Sequence, residues 1–227
     1  MRKVQNELKI GVFISYVTLF LSNLIPLFYT PYVIKTLGME EYGLYSLSKS
    51  ITSYLIILNL GFGTAIIKFI NQSVTENDEK AKNNFFNLFT QIFAFIFIIV
   101  IIFGIFIALN SENIFKAIPS SEQSTLKSLI FIVTLNTAFS LFFSVYVAII
   151  QAHQKFIFIK LMSLLVTLLV PITTLVFLIN GYRSIAIVLV SGILGILYGI
   201  LHMIYVYRVL KLKWKWTNLD YSPLKNI

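Results

Sequence analysis

The run FFNLFTQIFAFIFIIVIIFGIFIAL, Phe85 to Leu109, holds 25 residues without a single charge. As a helix it would extend roughly 37 Å, more than the ~30 Å of a bilayer's hydrocarbon layer. Five more uncharged stretches of spanning length flank it: Gly11 to Tyr32, Ser50 to Ile67, Ser128 to Ala152, Leu161 to Tyr182 and Ser184 to Tyr207. The second is the most polar and is expected to begin nearer Leu44, with Lys49 inside its first turns. The sequence therefore predicts an all-α polytopic membrane protein with six transmembrane helices over about 11–32, 44–67, 85–109, 128–152, 161–182 and 184–207. Residues 1–210 form the six-helix lobe, and 211–227 form a basic, aromatic tail.

Composition supports this. The 227 residues are 58% hydrophobic and 12% charged, about half the charged share of a soluble domain. Such a chain cannot face water on all sides, which excludes a water-soluble enzyme and a nucleic-acid module. Its net charge of +9 is explained by position instead. With six spans, 13 of the 18 Lys and Arg residues fall on the side of both termini and 5 on the other. Cytoplasmic loops carry the basic excess, so both termini are expected in the cytoplasm. There is no cysteine, hence no thiolate chemistry and no disulfide. The polar connection from Lys68 to Asn84 is expected to end in a helix cap at Asn83 or Asn84, and Asn110 to Lys127 is the longest connection on the opposite side.

Polar residues at membrane depth need a partner, a small-residue seam or a watery cavity. Ser15, Thr18, Ser22, Pro26 and Tyr29 recur every three or four positions in the first span, with Asn23 at the edge. Lys49, Thr52, Ser53, Asn59 and Gly63 do so in the second; Asn136, Thr137, Ser140 and Ser144 in the fourth; Ser163, Thr167, Pro171 and Thr174 in the fifth. Each stripe alone reads as a packing seam, whereas four together, two with a mid-span proline, point to a lined cavity. All nine acidic residues lie in loops or tails, so a proton relay or cation site within the spans lacks its carboxylate. The lysines nearest membrane depth, Lys49 and Lys68, suit an anion, or else snorkel to headgroups. His153 and His202 stand without a second ligand at metal spacing. Gly61-Phe62-Gly63 reads as a close helix contact or local unwinding. Neither a metal nor a cofactor is expected.

The segment TPYVIKTLGMEEYG, Thr30 to Gly43, followed by LNLGFGTAIIKF, Leu58 to Phe69, resembles the amino-terminal part of the polysaccharide biosynthesis family. These are the Wzx-type O-antigen and repeat-unit flippases of the multidrug/oligosaccharidyl-lipid/polysaccharide exporter superfamily. The resemblance implies two six-helix lobes around a central cavity. That cavity would carry a polyprenyl-diphosphate-linked oligosaccharide across a bacterial plasma membrane for cell-surface polysaccharide synthesis. The 227 residues correspond to one lobe, so a second lobe or a homodimer partner is expected, and 211–227 would be linker.

On that reading the cavity residues are Lys68, Lys49, Asn59, Ser53, Thr52, Ser22, Asn23, Tyr29, Asn136, Ser140 and Thr167. Lys68 would meet the diphosphate first, at the cytoplasmic end of the second span, and Lys49 second. No covalent chemistry is needed, and the chain is expected not to be an enzyme. The alternatives are a membrane-embedded glycan transferase or polymerase, for which only Glu40 and Glu41 offer carboxylates near an interface, and a partner subunit that does not itself transport.

Overall fold

Backbone polar groups find no water in hydrocarbon, so each apolar run folds as a helix that satisfies its own N–H and C=O groups. The computed structural model describes residues 2–57 and 62–214. Within them lie α1 (Arg2–Leu37), α2 (Met39–Ile56), α3 (Phe62–Thr75), α4 (Glu79–Leu109), α5 (Ser111–Ile114), α6 (Ser120–Ala152), α7 (Phe156–Ile179) and α8 (Ser184–Arg208). Leu8–Leu37 of α1, together with α4, α6, α7 and α8, are long and apolar enough to cross a membrane. The chain is an all-α, multi-pass membrane protein.

The second span departs from the expectation of one helix over 44–67. Its described residues fall in α2 and α3, and the start of α2 has a local cause. Gly38 adopts φ +81 between α1 and α2, a left-handed turn that glycine takes without strain. The chain can therefore restart a helix at once, with Glu40 and Glu41 in the first turn, where carboxylates complement the helix dipole. That moves the start to Met39. α2 is described to Ile56; Asn59 and Gly61 lie outside the described residues. α3 then runs past Ile67 to Thr75, because Ile66, Phe69, Ile70 and Ser73 form a face that is buried to the end. Gly63 has open space where a Cβ would sit, so no close helix contact occurs there.

Two further boundaries are corrected. α4 is capped by Asp78, whose carboxylate accepts from the N–H groups of Lys80 and Ala81 at 3.0 and 2.9 Å. A charged cap outcompetes Asn83 and Asn84, which lie inside the helix. The connection expected over 110–127 is shorter, since α6 starts at Ser120 directly after Pro119. Gln123 ties that connection down, donating from Nε2 to the carbonyls of Phe115 and Ile118 at 3.1 and 3.2 Å.

α6 is the axis. α4 and α8 flank it, and α2 and then α3 follow it along its length, while α7 links α8 to α1. Two apolar cores stack along this axis. One gathers Leu44, Tyr45, Ile51 and Leu55 of α2 against Leu126, Leu129, Ile130 and Val133 of α6. The other gathers Ile66, Phe69 and Ile70 of α3 with Phe86, Phe89 and Phe93 of α4 against Tyr146, Ile149 and Ile150. We label the first end outer, following the charge asymmetry. Here the α1–α2 and α7–α8 turns meet: Glu41 accepts hydrogen bonds from Arg183 and Ser184. At the other end the chain after α8 folds back, with Leu212 buried at 3% exposure and the Lys213 N–H donating to Asn83 Oδ1 at 3.2 Å.

Candidate functional site

Two clefts open between these helices. The first, about 700 Å³, lies between α2, α3, α6 and α8. Lys49, Thr52, Ser53 and Ile56 of α2 line it at i, i+3, i+4 and i+7, one helical face. Opposite stand Asn136, Thr137, Ser140 and Ser144 of α6, and Ser191, Gly195 and Tyr198 of α8. The second, about 550 Å³, lies between α1, α2, α7 and α8, and its lining includes Ser22, Pro26, Tyr29, Tyr42, Tyr45, Thr167 and Pro171. Lys49 and Ser191 line both, so the two spaces meet at one cation and one hydroxyl.

Most hydroxyls here already donate within their own helices. Thr137 bonds the Val133 carbonyl at 2.8 Å, Ser144 that of Leu141 at 2.6 Å and Thr167 that of Ser163 at 2.9 Å. A hydroxyl so engaged keeps its acceptor lone pairs for a ligand. Asn136 Nδ2 reaches across to the Val188 carbonyl at 2.9 Å, which pins α6 to α8 while its amide remains on the cleft wall. Pro26 and Pro171 lack an N–H, so the carbonyls of Ser22 and Thr167, one turn earlier, have no i+4 donor. Both of those residues line the second cleft.

Among the described residues that line either cleft, Lys49 is the only charged one. Its ammonium lies 4.8 Å from the centre of the Tyr45 ring, a cation–π contact that holds the side chain without neutralising it. Among the described residues no carboxylate, histidine or thiol joins it on either wall. The arrangement suits capture of an anionic ligand rich in hydroxyl groups; no proton-transfer pair is assembled.

The expected residues divide clearly. Lys49, Thr52, Ser53, Asn136 and Ser140 come together in the first cleft, and Ser22, Tyr29 and Thr167 join Lys49 in the second. Asn23 is exposed outside both and donates to the Leu19 carbonyl at 2.7 Å. Lys68 is exposed on α3, as Lys49 is on α2, with its ammonium 5.4 Å from the Phe69 ring centre, but it lines neither cleft. Asn59 lies outside the described residues. His202 is fully buried, its ring 4.2 Å from that of Tyr198 and 5.2 Å from that of Phe158. Sequence reading missed Ser191 and Tyr198. Their signal was the i, i+4, i+7 spacing of Ser191, Gly195 and Tyr198, hidden in a span that is otherwise almost wholly apolar.

A multi-pass bundle with a polar cleft holding one cation fits many transported anions, and the family narrows the choice. The profile of the family described as "Polysaccharide biosynthesis protein" matches residues 8–227. The chain belongs to that family. Its role therefore lies in polysaccharide biosynthesis at a membrane. No curated protein and no solved structure gives a match.

Proposed function

We propose that this member of the polysaccharide biosynthesis family is a flippase lobe rather than an enzyme. It would move polyprenyl-diphosphate-linked oligosaccharides from the cytoplasmic to the outer leaflet of a bacterial plasma membrane. The observation that carries the reading is the meeting of the two clefts at Lys49, where a single cation sits among hydroxyls and amides. A diphosphate would pair with that ammonium. Its sugars would hydrogen-bond along Thr52, Ser53, Asn136 and Ser140, and the prenyl chain would stay in lipid. Lys68 takes second place, because it lines neither cleft. The lobe would work by rocking against a second six-helix lobe or a second copy, with residues 211–227 as the connection.

The deciding experiment reconstitutes the full chain with its second lobe, or at a density that permits pairing, into vesicles. The substrate is a polyprenyl-diphosphate oligosaccharide, and sugar accessibility is read in each leaflet. Transfer that disappears in Lys49→Glu is the expected result; absence of transfer in the wild-type assembly would overturn the reading. The proposed orientation has its own check, made clean by the absence of cysteine. Asn77→Cys, in the α3–α4 turn, should be protected from an impermeant thiol reagent added outside, and Ser120→Cys should react.

A further inference from the structure

At the outer end one carboxylate joins three parts of the chain. Glu41, in the first turn of α2, accepts from the Ser184 hydroxyl at 2.6 Å and the Ser184 N–H at 2.9 Å through Oε1, and from the Arg183 guanidinium through Oε2. Arg183 also donates to the Leu37 carbonyl, the last residue of α1, at 3.0 Å. The Glu41 side chain is only 13% exposed. It thus closes the α1–α2 turn and the start of α8 into one unit. Elsewhere α2 and α8 barely touch, because the clefts separate them. This clasp is the main fixed point between the two helices.

The spacing below the clasp is what makes it consequential. Lys49 lies eight residues beyond Glu41, about 12 Å down α2. Ser191 lies seven residues beyond Ser184, about 11 Å down α8. The two residues shared by both clefts therefore stand at matched depth below the two ends of one hydrogen-bonded pair. We propose that Glu41 is a positioning residue that locks the axial register of α2 against α8, and so holds Lys49 opposite Ser191 where the clefts meet. A register error of one residue, in which α2 moves along its own helical screw, would shift Lys49 by about 1.5 Å and turn it roughly 100° away from the cleft. The inference concerns the site of the proposed flippase, but its test needs no substrate and stands or falls apart from transport.

The clasp is also sensitive to acid. Burial pushes the Glu41 carboxyl up, yet the bonds from the Ser184 hydroxyl and N–H and from Arg183 outweigh it and hold the group below the usual carboxylate range. A depressed carboxylate stabilises the folded contact above its unfolded pKa, and that contribution is lost as pH falls through the folded value. The charged groups around it are Arg183 from the α7–α8 turn, Glu40 on α2 and Glu122 from α6, which line the same recess.

The test places spin labels on cysteines at Tyr54 of α2 and Leu197 of α8, both exposed on the bundle surface, in the full chain in a bilayer. Wild type at neutral pH should give a narrow distance distribution that broadens, or shifts by up to about one helical turn of 5.4 Å, as pH falls through the Glu41 titration. Glu41→Gln should be broad at every pH, with Glu40 and Glu122 unchanged as internal control. Since loss of Glu41 also uncaps α8, the deciding variant is Glu41→Ala with Arg183→Asp, which supplies a cap from α8's own N-cap position without reaching the α1–α2 turn. A broadened distribution in that folded double variant supports the register lock. A native distribution there, or a wild-type distribution flat across the pH window, overturns it.

Discussion

α6 has two flanks, built oppositely from similar residues. Toward α4 it is in close contact: Phe97 stands edge-on to Phe139 at 5.1 Å, and Gly104 lets α4 settle directly on Thr134. Toward α2 the same helix faces a cleft of about 700 Å³ lined by Asn136, Thr137, Ser140 and Ser144. α8 shows both behaviours within two turns. Gly192 and Gly199 lie against Asn136 and Phe143, whereas Gly195 between them faces open space. Apolar composition does not tell a seam from a cleft in a membrane bundle. What distinguishes them is whether polar positions on two helices share one axial level and one face.

The largest expected effect tests the packed flank. In Gly104→Leu the side chain would occupy the space of Thr134, with no flexible end to yield, and such overpacking costs about 1–3 kcal/mol or more. Detergent-solubilised protein should melt well below wild type by fluorescence-detected size exclusion, and yield should drop. Gly195→Ala should melt as wild type, since nothing lies within 4 Å of the added methyl. Equal losses in both variants would erase the distinction between the flanks.

Next comes the contrast between the two lysines. Lys49→Glu should weaken binding of a fluorescent polyprenyl diphosphate to the purified chain by about 10- to 100-fold, the scale of one charged hydrogen-bond partner. Lys68→Glu should change it by less than about threefold, under 0.7 kcal/mol. A larger loss at Lys68 would move the anion site from the cleft to the exposed face of α3. Lys49→Arg should retain binding in part, because a guanidinium keeps the charge but alters the donor geometry.

Why Lys68 ranked above Lys49 from sequence alone is instructive. A continuous helix over 44–67 carries Lys49 on one rod and leaves Lys68 directly at its expected cytoplasmic end. In the structure Lys49 stands on α2 and Lys68 on α3, and only Lys49 lines the clefts, a difference that three- and four-residue spacing along one rod does not reveal. The fold itself was legible because runs such as Phe85 to Leu109 leave no alternative in hydrocarbon. The stripes on α2 and α6 were legible because three- and four-residue spacing survives inside one helix. Asp78 as a cap was overlooked within a mixed-charge turn. The clasp was not legible either: Glu41 and Arg183 are 142 residues apart, and only the packing of α1 on α7 and α7 on α8 brings their turns together.

The smallest effect tests whether the second cleft is held by polar contacts or by shape. Tyr29, on its lining, and Thr174 join α1 to α7, their oxygens 2.8 Å apart. Thr174 Oγ1 also lies 2.8 Å from the Val170 carbonyl, to which its single proton goes. Tyr29 is therefore the donor to Thr174. Removing that donor leaves the buried Thr174 hydroxyl still satisfied within its own helix, so Tyr29→Phe creates no unpaired buried group. Interhelical hydrogen bonds in membrane proteins average about 0.6 kcal/mol, and the coupling between Tyr29→Phe and Thr174→Val in a double-mutant cycle of unfolding should be of that size. A coupling above about 1.7 kcal/mol, the upper end of such measurements, would mean that the cleft wall depends on this bond. A coupling near 0.6 would leave the prolines, the small residues and the Glu41 clasp as the features that keep the space open.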